Sequence, residues 1–223
     1  MSVHTGKLSP RVYLVGNGGW GITKPISQRG DSNVYLVDCG GPLALVDTGV
    51  GPIASDILDN VRAAGFTPAM ISSIFLTHAH GDHSGGAAWL RGVTGAAIYS
   101  GAVTARALAM PEPRLIGGME PFVPFEPQAL TVDHWLLDVD NVEVGDVTIK
   151  AYFTPGHTVD AFCYLASVGG RNVLFSGDTV IGNQVRPDIA GEKTIKGILG
   201  WLDGHWSAPL TTYQASLKQL LAL

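Results

Sequence analysis

Basic clusters, paired cysteines and long apolar runs are all missing from this sequence. Its 223 residues carry a net charge of −5, and no strip of Lys and Arg with interleaved aromatics occurs, so nucleic acid is not an expected partner. No stretch reaches the roughly 20 apolar residues of a membrane span, and the first residues lack the pattern of a signal peptide. These absences predict a cytoplasmic protein that does not insert into a membrane.

Cysteine is scarce, with only two in the chain. Cys39 follows a predicted strand, and Cys163 lies inside the apolar segment 161–165. Neither has the spacing of a zinc-binding pair, and a cytosolic chain gains little from a disulfide. We therefore interpret both as small buried thiols.

Hydrophobic residues make up 46% of the chain, enough for a sizeable core. Short segments rich in Val, Leu and Tyr and bounded by Gly turns predict strands, whereas apolar residues at helical spacing predict helices. Strands are predicted at 12–15, 33–37, 43–46, 73–76, 96–99, 142–144, 147–153, 162–166 and 172–175. Helices are predicted at 53–64, 84–90, 103–109 and 210–223, so the chain is mixed α/β.

Three histidines and one aspartate crowd the segment 77–83, between a predicted strand and a predicted helix. Such a density of imidazole and carboxylate donors predicts a metal site. His78 and His80 are expected on one side of an extended segment, and Gly81 lets the chain bend before Asp82 and His83. One loop can therefore supply two neighbouring metal ions.

Two later strands end in Gly-containing loops that each present one possible ligand. The loop 154–158 carries His157, and the loop 176–179 carries Asp178. Either loop alone is more typical of an ordinary turn. Together with the histidine-rich loop, they predict further metal ligands.

The segments Asp47-Thr48-Gly49, 78–83, 155–158 and 176–179, in this order, resemble the metallo-β-lactamase superfamily. The resemblance implies a single domain over residues 1–223, folded as an αββα four-layer sandwich with a dinuclear metal site at one end. Two divalent metal ions are expected, zinc first, with iron or manganese as alternatives.

The resemblance also assigns roles to individual residues. It makes His78, His80 and His157 ligands of one metal, Asp82 and His83 ligands of the second, and Asp178 the bridge. A hydroxide shared by the metals is the expected nucleophile. Asp82 would orient this hydroxide or transfer its proton to the leaving group. Asp47 is expected to support the histidine-rich loop by hydrogen bonds. Two further histidines, His134 and His205, are expected in the interior with structural roles.

An aspartate at position 178 resembles the glyoxalase II-like thioesterases and lactonases more than the zinc β-lactamases. The expected activity is therefore hydrolysis of a small thioester or lactone. One alternative is a mononuclear Fe(II) sulfur dioxygenase of the same superfamily, which would use His78, His157 and Asp178. Another is a metal-binding interaction module without catalysis.

The segment 110–128 alternates prolines with large apolar residues, which excludes a regular helix but favours an ordered loop. We expect Met119 and Phe122 of this segment, with Trp20, to wall the pocket of a small-molecule substrate. A homodimer contact or an inert surface insertion is the alternative for this segment.

The last predicted helix, 210–223, should pack through Tyr213, Leu217, Leu220 and Leu221. In the superfamily pattern, a final strand and one more histidine follow such a helix. We therefore expect that this chain lacks that strand and histidine, that its second metal site is incomplete and that the natural protein is longer.

Overall fold

A computed structural model describes residues 6–19, 24–51, 53–111, 128–182, 197–199 and 207–223. Four residues singled out above, Trp20, Met119, Phe122 and His205, lie outside this part of the chain. The strands are β1 Gly6–Ser9, β2 Val12–Gly16, β3 Val34–Asp38, β4 Leu43–Val46, β5 Ile71–Phe75, β6 Ala97–Gly101, β7 His134–Leu136, β8 Asn141–Val144, β9 Val147–Phe153, β10 Phe162–Val168, β11 Arg171–Phe175, β12 Val180–Gly182 and β13 Gly197–Leu199. The helices are α1 Ser55–Ala63, α2 Gly81–Ser84, α3 Ala87–Thr94, α4 Ala102–Ala109 and α5 Leu210–Leu221, with a short 3₁₀ turn at Pro68–Met70.

The first seven strands form one sheet in sequence order. Strands β1 to β4 are antiparallel neighbours, with short turns between β1 and β2 and between β3 and β4 and a longer segment, 17–33, between β2 and β3. From β4 to β7 the strands are parallel, because the chain returns through helices between them. The segments between these parallel strands hold α1, then α2 and α3, and then α4.

Each face of this sheet packs against a different layer. Leu36, Leu45 and Ile74 lie side by side in the strand register and belong to the core under α1, α3 and α4. The residues after them point the other way, because side chains alternate along a strand. Val46 and Phe75 accordingly belong to a second core, shared with the other sheet. The two cores account for the layered α/β architecture.

The second sheet has four antiparallel strands in the order β11-β10-β9-β8. Ile149, Tyr164 and Phe175 face the first sheet and belong to the shared core. Tyr164 also donates a hydrogen bond of 2.7 Å to the carbonyl of Leu76, at the end of β5. A buried hydroxyl thus joins the two sheets close to the histidine-rich loop.

The loops singled out in the sequence leave the sheets at one end of the molecule. β4 and β5 are parallel, so the segments that follow both strands start at the same edge. β9 and β11 are each antiparallel to β10, which lies between them, so both also end at one edge of their sheet. The backbone N–H of Phe162 donates to the carbonyl of Thr77 at 2.8 Å and connects the two sets of loops.

Several local predictions need correction. His134 is exposed on the edge strand β7, where its ring stacks on Tyr99 with centroids 4.5 Å apart, so the expected interior position is wrong. Helix α5 buries Tyr213 and Ser216, whereas Leu221 is 87% exposed and does not belong to the buried face. The strands β1, β7, β12 and β13 were not predicted.

Other predictions agree with the structure. Cys39 and Cys163 are buried free thiols. The remaining predicted strands and helices are present with shifted ends, although the helix predicted at 84–90 is divided into α2 and α3. Within the described part of the chain, none of the helices has both the length and the apolar character needed to cross a bilayer.

Candidate metal centre

Three imidazole rings from two loops converge at the end of the sandwich. His78 and His80 have ring centroids 4.7 Å apart, and His157 lies 5.1 Å from His78 and 4.9 Å from His80. One nitrogen of each ring lies within 4.8 Å of the others, a spacing that could hold a metal ion. This is the trio that the sequence assigned to the first metal.

A second group of possible ligands shares His78 with the first. It consists of His78, His83 and Asp178, again with donor atoms within 4.8 Å of one another. Asp178 lies between the groups, since its Oδ1 is 3.3 Å from His83 Nε2 and its Oδ2 is 3.6 Å from His157 Nε2. Asp82 is in neither group, but its Oδ2 lies 3.5 Å from His83 Nε2.

The buried nitrogens of this cluster suit a cation. His78 is 1% exposed, its Nδ1 lies 3.0 Å from Thr77 Oγ1, and its Nε2 has no hydrogen-bond partner among the described residues. A buried nitrogen without a partner costs about 1–3 kcal/mol, so it requires an explanation. Neutral imidazole is a preferred ligand of Zn²⁺, and binding would use this nitrogen. The donor set therefore fits a divalent transition metal.

Burial and neighbouring charges shift the histidine pKa values in opposite directions. Burial lowers the pKa of His78 well below its usual value, and His83, His80 and His157 lower it further, so His78 is neutral. Burial also acts to lower the pKa of His83, but the carboxylates around it raise this pKa well above the usual range. The negative charge of the centre is therefore concentrated around His83.

The two carboxylates near His83 differ in their pKa values. Burial raises the pKa of Asp82 to about 7, against the attraction of His83. Burial also acts to raise the pKa of Asp178, but His83 and His157 lower it to about 2. Asp178 is thus the carboxylate that keeps its charge across the neutral range.

Asp47 joins the strand β4 to the histidine-rich loop. Its Oδ1 accepts the Thr77 N–H at 2.8 Å, and its Oδ2 lies 2.8 Å from His83 Nδ1. Its backbone φ is +62°, a left-handed conformation that costs a residue with a Cβ roughly 1–2 kcal/mol. In this conformation the carboxylate contacts both Thr77 and His83 of the loop. Because His83 Nδ1 faces Asp47, His83 Nε2 faces Asp178.

Asp160 is a site residue that the sequence interpretation missed. It is fully buried, and its Oδ2 accepts hydrogen bonds from Ala79 N–H at 2.9 Å and Thr104 Oγ1 at 2.8 Å. Burial raises its pKa. The available signal was an aspartate three residues after His157, directly before an apolar strand. Its partner Ala79 lies between His78 and His80, so this carboxyl group fixes the loop from behind.

Helix α5 and the residues before it also contact the loops of the centre. Its hydrogen bonds reach the loop after β9 at three carbonyls and the loop after β11 at one. They are Ala208 N–H to Gly156 O at 3.1 Å, Ser207 Oγ to His157 O at 3.0 Å, Ser216 Oγ to Pro155 O at 2.8 Å and Tyr213 OH to Thr179 O. No sequence motif indicated these contacts.

The layered α/β fold and the histidine-rich end are those of one family. The model of the metallo-beta-lactamase superfamily matches residues 28–223, and the chain belongs to this superfamily. It is 33% identical over 176 residues to the lactamase-like protein aptB of Emericella nidulans. It is 31% identical over 176 residues to the atrochrysone carboxyl ACP thioesterase of Aspergillus fumigatus. Each alignment covers 79% of this chain and 47% of the relative, so the chain spans about half the length of these relatives.

Solved structures agree on the fold. BJP-1, a subclass B3 metallo-beta-lactamase of Bradyrhizobium japonicum, is 25% identical with a TM-score of 0.71, and the match covers 98% of this chain and 73% of BJP-1. FEZ-1 from Legionella gormanii, at 19% identity and a TM-score of 0.69, has the same fold.

Proposed function

We propose that this chain is a metal-dependent hydrolase that cleaves a small thioester or lactone. The observation that carries the proposal is the convergence of four imidazoles and Asp178, whose donor atoms have the spacing of metal ligands. Two of the imidazole nitrogens, His78 Nε2 and His83 Nε2, are buried without a hydrogen-bond partner among the described residues. The thioester is the first choice of substrate because a relative at 31% identity is named as a thioesterase.

In this proposal His78, His80 and His157 hold one divalent cation, and His83, Asp82 and Asp178 hold the second, with Asp178 shared between them. Zinc is the first choice, and iron or manganese suits the more oxygen-rich second position. When bound, the cations would supply a water of lowered pKa as nucleophile and stabilise the oxyanion that forms at the substrate carbonyl.

The protein side chains hold these ligands in place and handle the proton. Asp47 engages His83 Nδ1 and so directs His83 Nε2 towards Asp178. Asp82 lies beside the same ring, with its Oδ2 3.5 Å from His83 Nε2. We assign to it the transfer of a proton from the attacking water to the leaving thiolate or alkoxide.

The acyl group of the substrate needs apolar walls beside the cations. We assign this role to Trp20, Met119 and Phe122, on the sequence argument given above. Substitution of Trp20 or Phe122 by Ala should raise KM or narrow the range of substrates with an unchanged metal content. Unchanged kinetics for both variants across a substrate panel would remove these residues from the pocket.

One experiment tests the site and the reaction together. The purified protein is reconstituted with Zn²⁺, its metal content is measured, and hydrolysis of an acyl thioester, a lactone, a β-lactam and a phosphodiester is compared. We expect thioester or lactone turnover that His78→Ala and His157→Ala abolish without unfolding the domain. His134→Ala is the matched control, because His134 is an exposed histidine on β7.

Three results would contradict the proposal. Less than about half an equivalent of metal after reconstitution, with full activity in both histidine variants, would show that the site is wrongly assigned. Oxygen uptake on a persulfide by the Fe²⁺-loaded protein, without hydrolysis, would identify a sulfur dioxygenase. Metal binding without turnover of any substrate would favour an interaction module.

A further inference from the structure

We infer that Tyr213 is a positioning residue that fixes the distance between the His157 loop and the Asp178 loop. The inference rests on the proposed metal site, because the two loops supply its ligands. It concerns a residue of α5 that the sequence predicted only as part of an apolar helix face.

The two loops do not follow neighbouring strands, and a direct contact between their side chains is the 3.4 Å approach of Thr154 Oγ1 and Thr179 Oγ1, so a further connection would strengthen their relative position. The His157 loop follows β9 and the Asp178 loop follows β11, and both strands are hydrogen-bonded to β10, which separates them. Asp178 Oδ2 lies 3.6 Å from His157 Nε2, so the shared carboxylate would reach both proposed cations only while the two loops keep their relative position. A displacement of either loop by about 1 Å would weaken ligation there.

Tyr213 contacts both loops from outside the sheet. It is 2% exposed, and its hydroxyl donates to the carbonyl of Thr179, the residue after Asp178. Its ring packs on Gly156, the residue before His157, so closely that a Cβ on Gly156 would collide with the ring. One rigid side chain thus spans the neighbours of two proposed ligands.

The surrounding contacts hold Tyr213 in this position. Ser216 lies one helical turn further along α5 and donates to the carbonyl of Pro155 at 2.8 Å. Ala208 donates its N–H to the carbonyl of Gly156 at 3.1 Å. These bonds attach α5 to the His157 loop alone, whereas the Tyr213 hydroxyl extends the attachment to the Asp178 loop.

The test uses Tyr213→Phe, which keeps the ring and deletes only the hydroxyl. Zn²⁺ is titrated against a chromophoric chelator to give the affinity of each of the two cations. We expect the second proposed cation, at His83, Asp82 and Asp178, to bind about tenfold more weakly, at the lower end of the range for residues that orient ligands, because the variant releases the Asp178 loop but keeps the ring on Gly156. The cation held by the three histidines should change less, and kcat should fall more than KM rises.

One control variant and one second perturbation distinguish a positioning role from a general loss of stability. Ile98→Val removes one methyl group from the core under the helices, remote from the loops, and matches the small loss of stability expected for Tyr213→Phe. Gly156→Ala is a second perturbation of the same contact: its Cβ would collide with the Tyr213 ring, so it should weaken the same cation. Thermal unfolding of all three variants, measured without metal, ranks their stabilities.

The outcomes distinguish this inference from the proposed function. If Asp178→Asn and His157→Ala weaken zinc binding but Tyr213→Phe binds both cations as the parent does, the positioning role is refuted and the metal site stands. An equal loss of zinc affinity in Ile98→Val also refutes it. If Asp178→Asn and His157→Ala leave zinc binding unchanged, the site itself is wrong and Tyr213 has nothing to position.

Discussion

Removal of the Asp160 carboxyl should cost both stability and metal binding. In Asp160→Ala, the Ala79 N–H and the Thr104 hydroxyl lose their shared acceptor, and both residues are fully buried. A buried group left without a partner costs about 1–3 kcal/mol, so the two together should lower the free energy of unfolding by roughly 2–6 kcal/mol. The loop between His78 and His80 also loses its support.

Two further substitutions separate the contributions of the two hydrogen bonds to this loss of stability. Asp160→Asn keeps one acceptor oxygen, and a single oxygen, Oδ2, serves both donors in the structure, so its loss should stay below about 1 kcal/mol. Thr104→Val deletes only the hydroxyl bond and should cost about 1 kcal/mol, with the loop still held at Ala79.

Urea unfolding gives the free energies of unfolding. The zinc stoichiometry after reconstitution shows whether the loop that carries His78 and His80 still binds metal. The alanine variant should retain less zinc than the other two. If Asp160→Ala is as stable as the parent, or if Asp160→Asn is as damaging as Asp160→Ala, the carboxyl does not act as this acceptor.

Three other perturbations give distinct results. In the parent, Thr77 N–H and His83 Nδ1 face different oxygens of Asp47, and Asp47→Asn leaves only one oxygen to accept a hydrogen bond. Zinc affinity should therefore fall about 10–100-fold. An unchanged chelator titration would contradict this role of Asp47. Burial raises the pKa of Asp31 to about 6 in the folded protein, above its unfolded value of about 3.9, so the carboxyl favours the folded state at low pH and this contribution disappears as pH rises through 6. Relative to Asp31→Asn, the parent should therefore lose about 2–3 kcal/mol of stability between pH 4 and 7, and parallel stability curves for the two proteins would refute the shift. Gly86→Ala would drive a Cβ into the carbonyl of Thr48, so its melting temperature should fall by several degrees, whereas Gly92→Ala, with open space around it, should not destabilise the fold.

The strand and helix pattern could be predicted because periodicity and turn residues are local signals. The helix α1 and the hairpins of the second sheet follow from apolar spacing and Gly turns alone. β7 could not be predicted, because three residues on a sheet edge with Trp135 62% exposed have no periodicity to detect. Edge strands are defined by their partner, here β6, rather than by their own sequence.

The convergence of His78, His80, His83, His157 and Asp178 could also be predicted, because His and Asp in short, glycine-containing loops are typical of metal sites. The supporting residues could not. Asp160 and Tyr213 act through backbone groups, Ala79 N–H and Thr179 O, which every sequence contains. Only the fold shows which side chain reaches which peptide group, and so the sequence interpretation of α5 gave too much weight to Leu221 and none to Ser216.

The position of the centre between two sheets has a consequence for how the chain folds. Asp47 and the segment 77–83 come from the first sheet, His157 and Asp178 from the second, so the ligands meet only after the sheets have docked. These are contacts of high sequence separation, which form slowly because a long loop must close first. A cation held by side chains from both sheets would bind the docked state alone and would stabilise it by about 2.7 kcal/mol at a free concentration one hundred times its Kd. The rate at which zinc affinity develops during refolding therefore measures the docking of the two halves of the molecule.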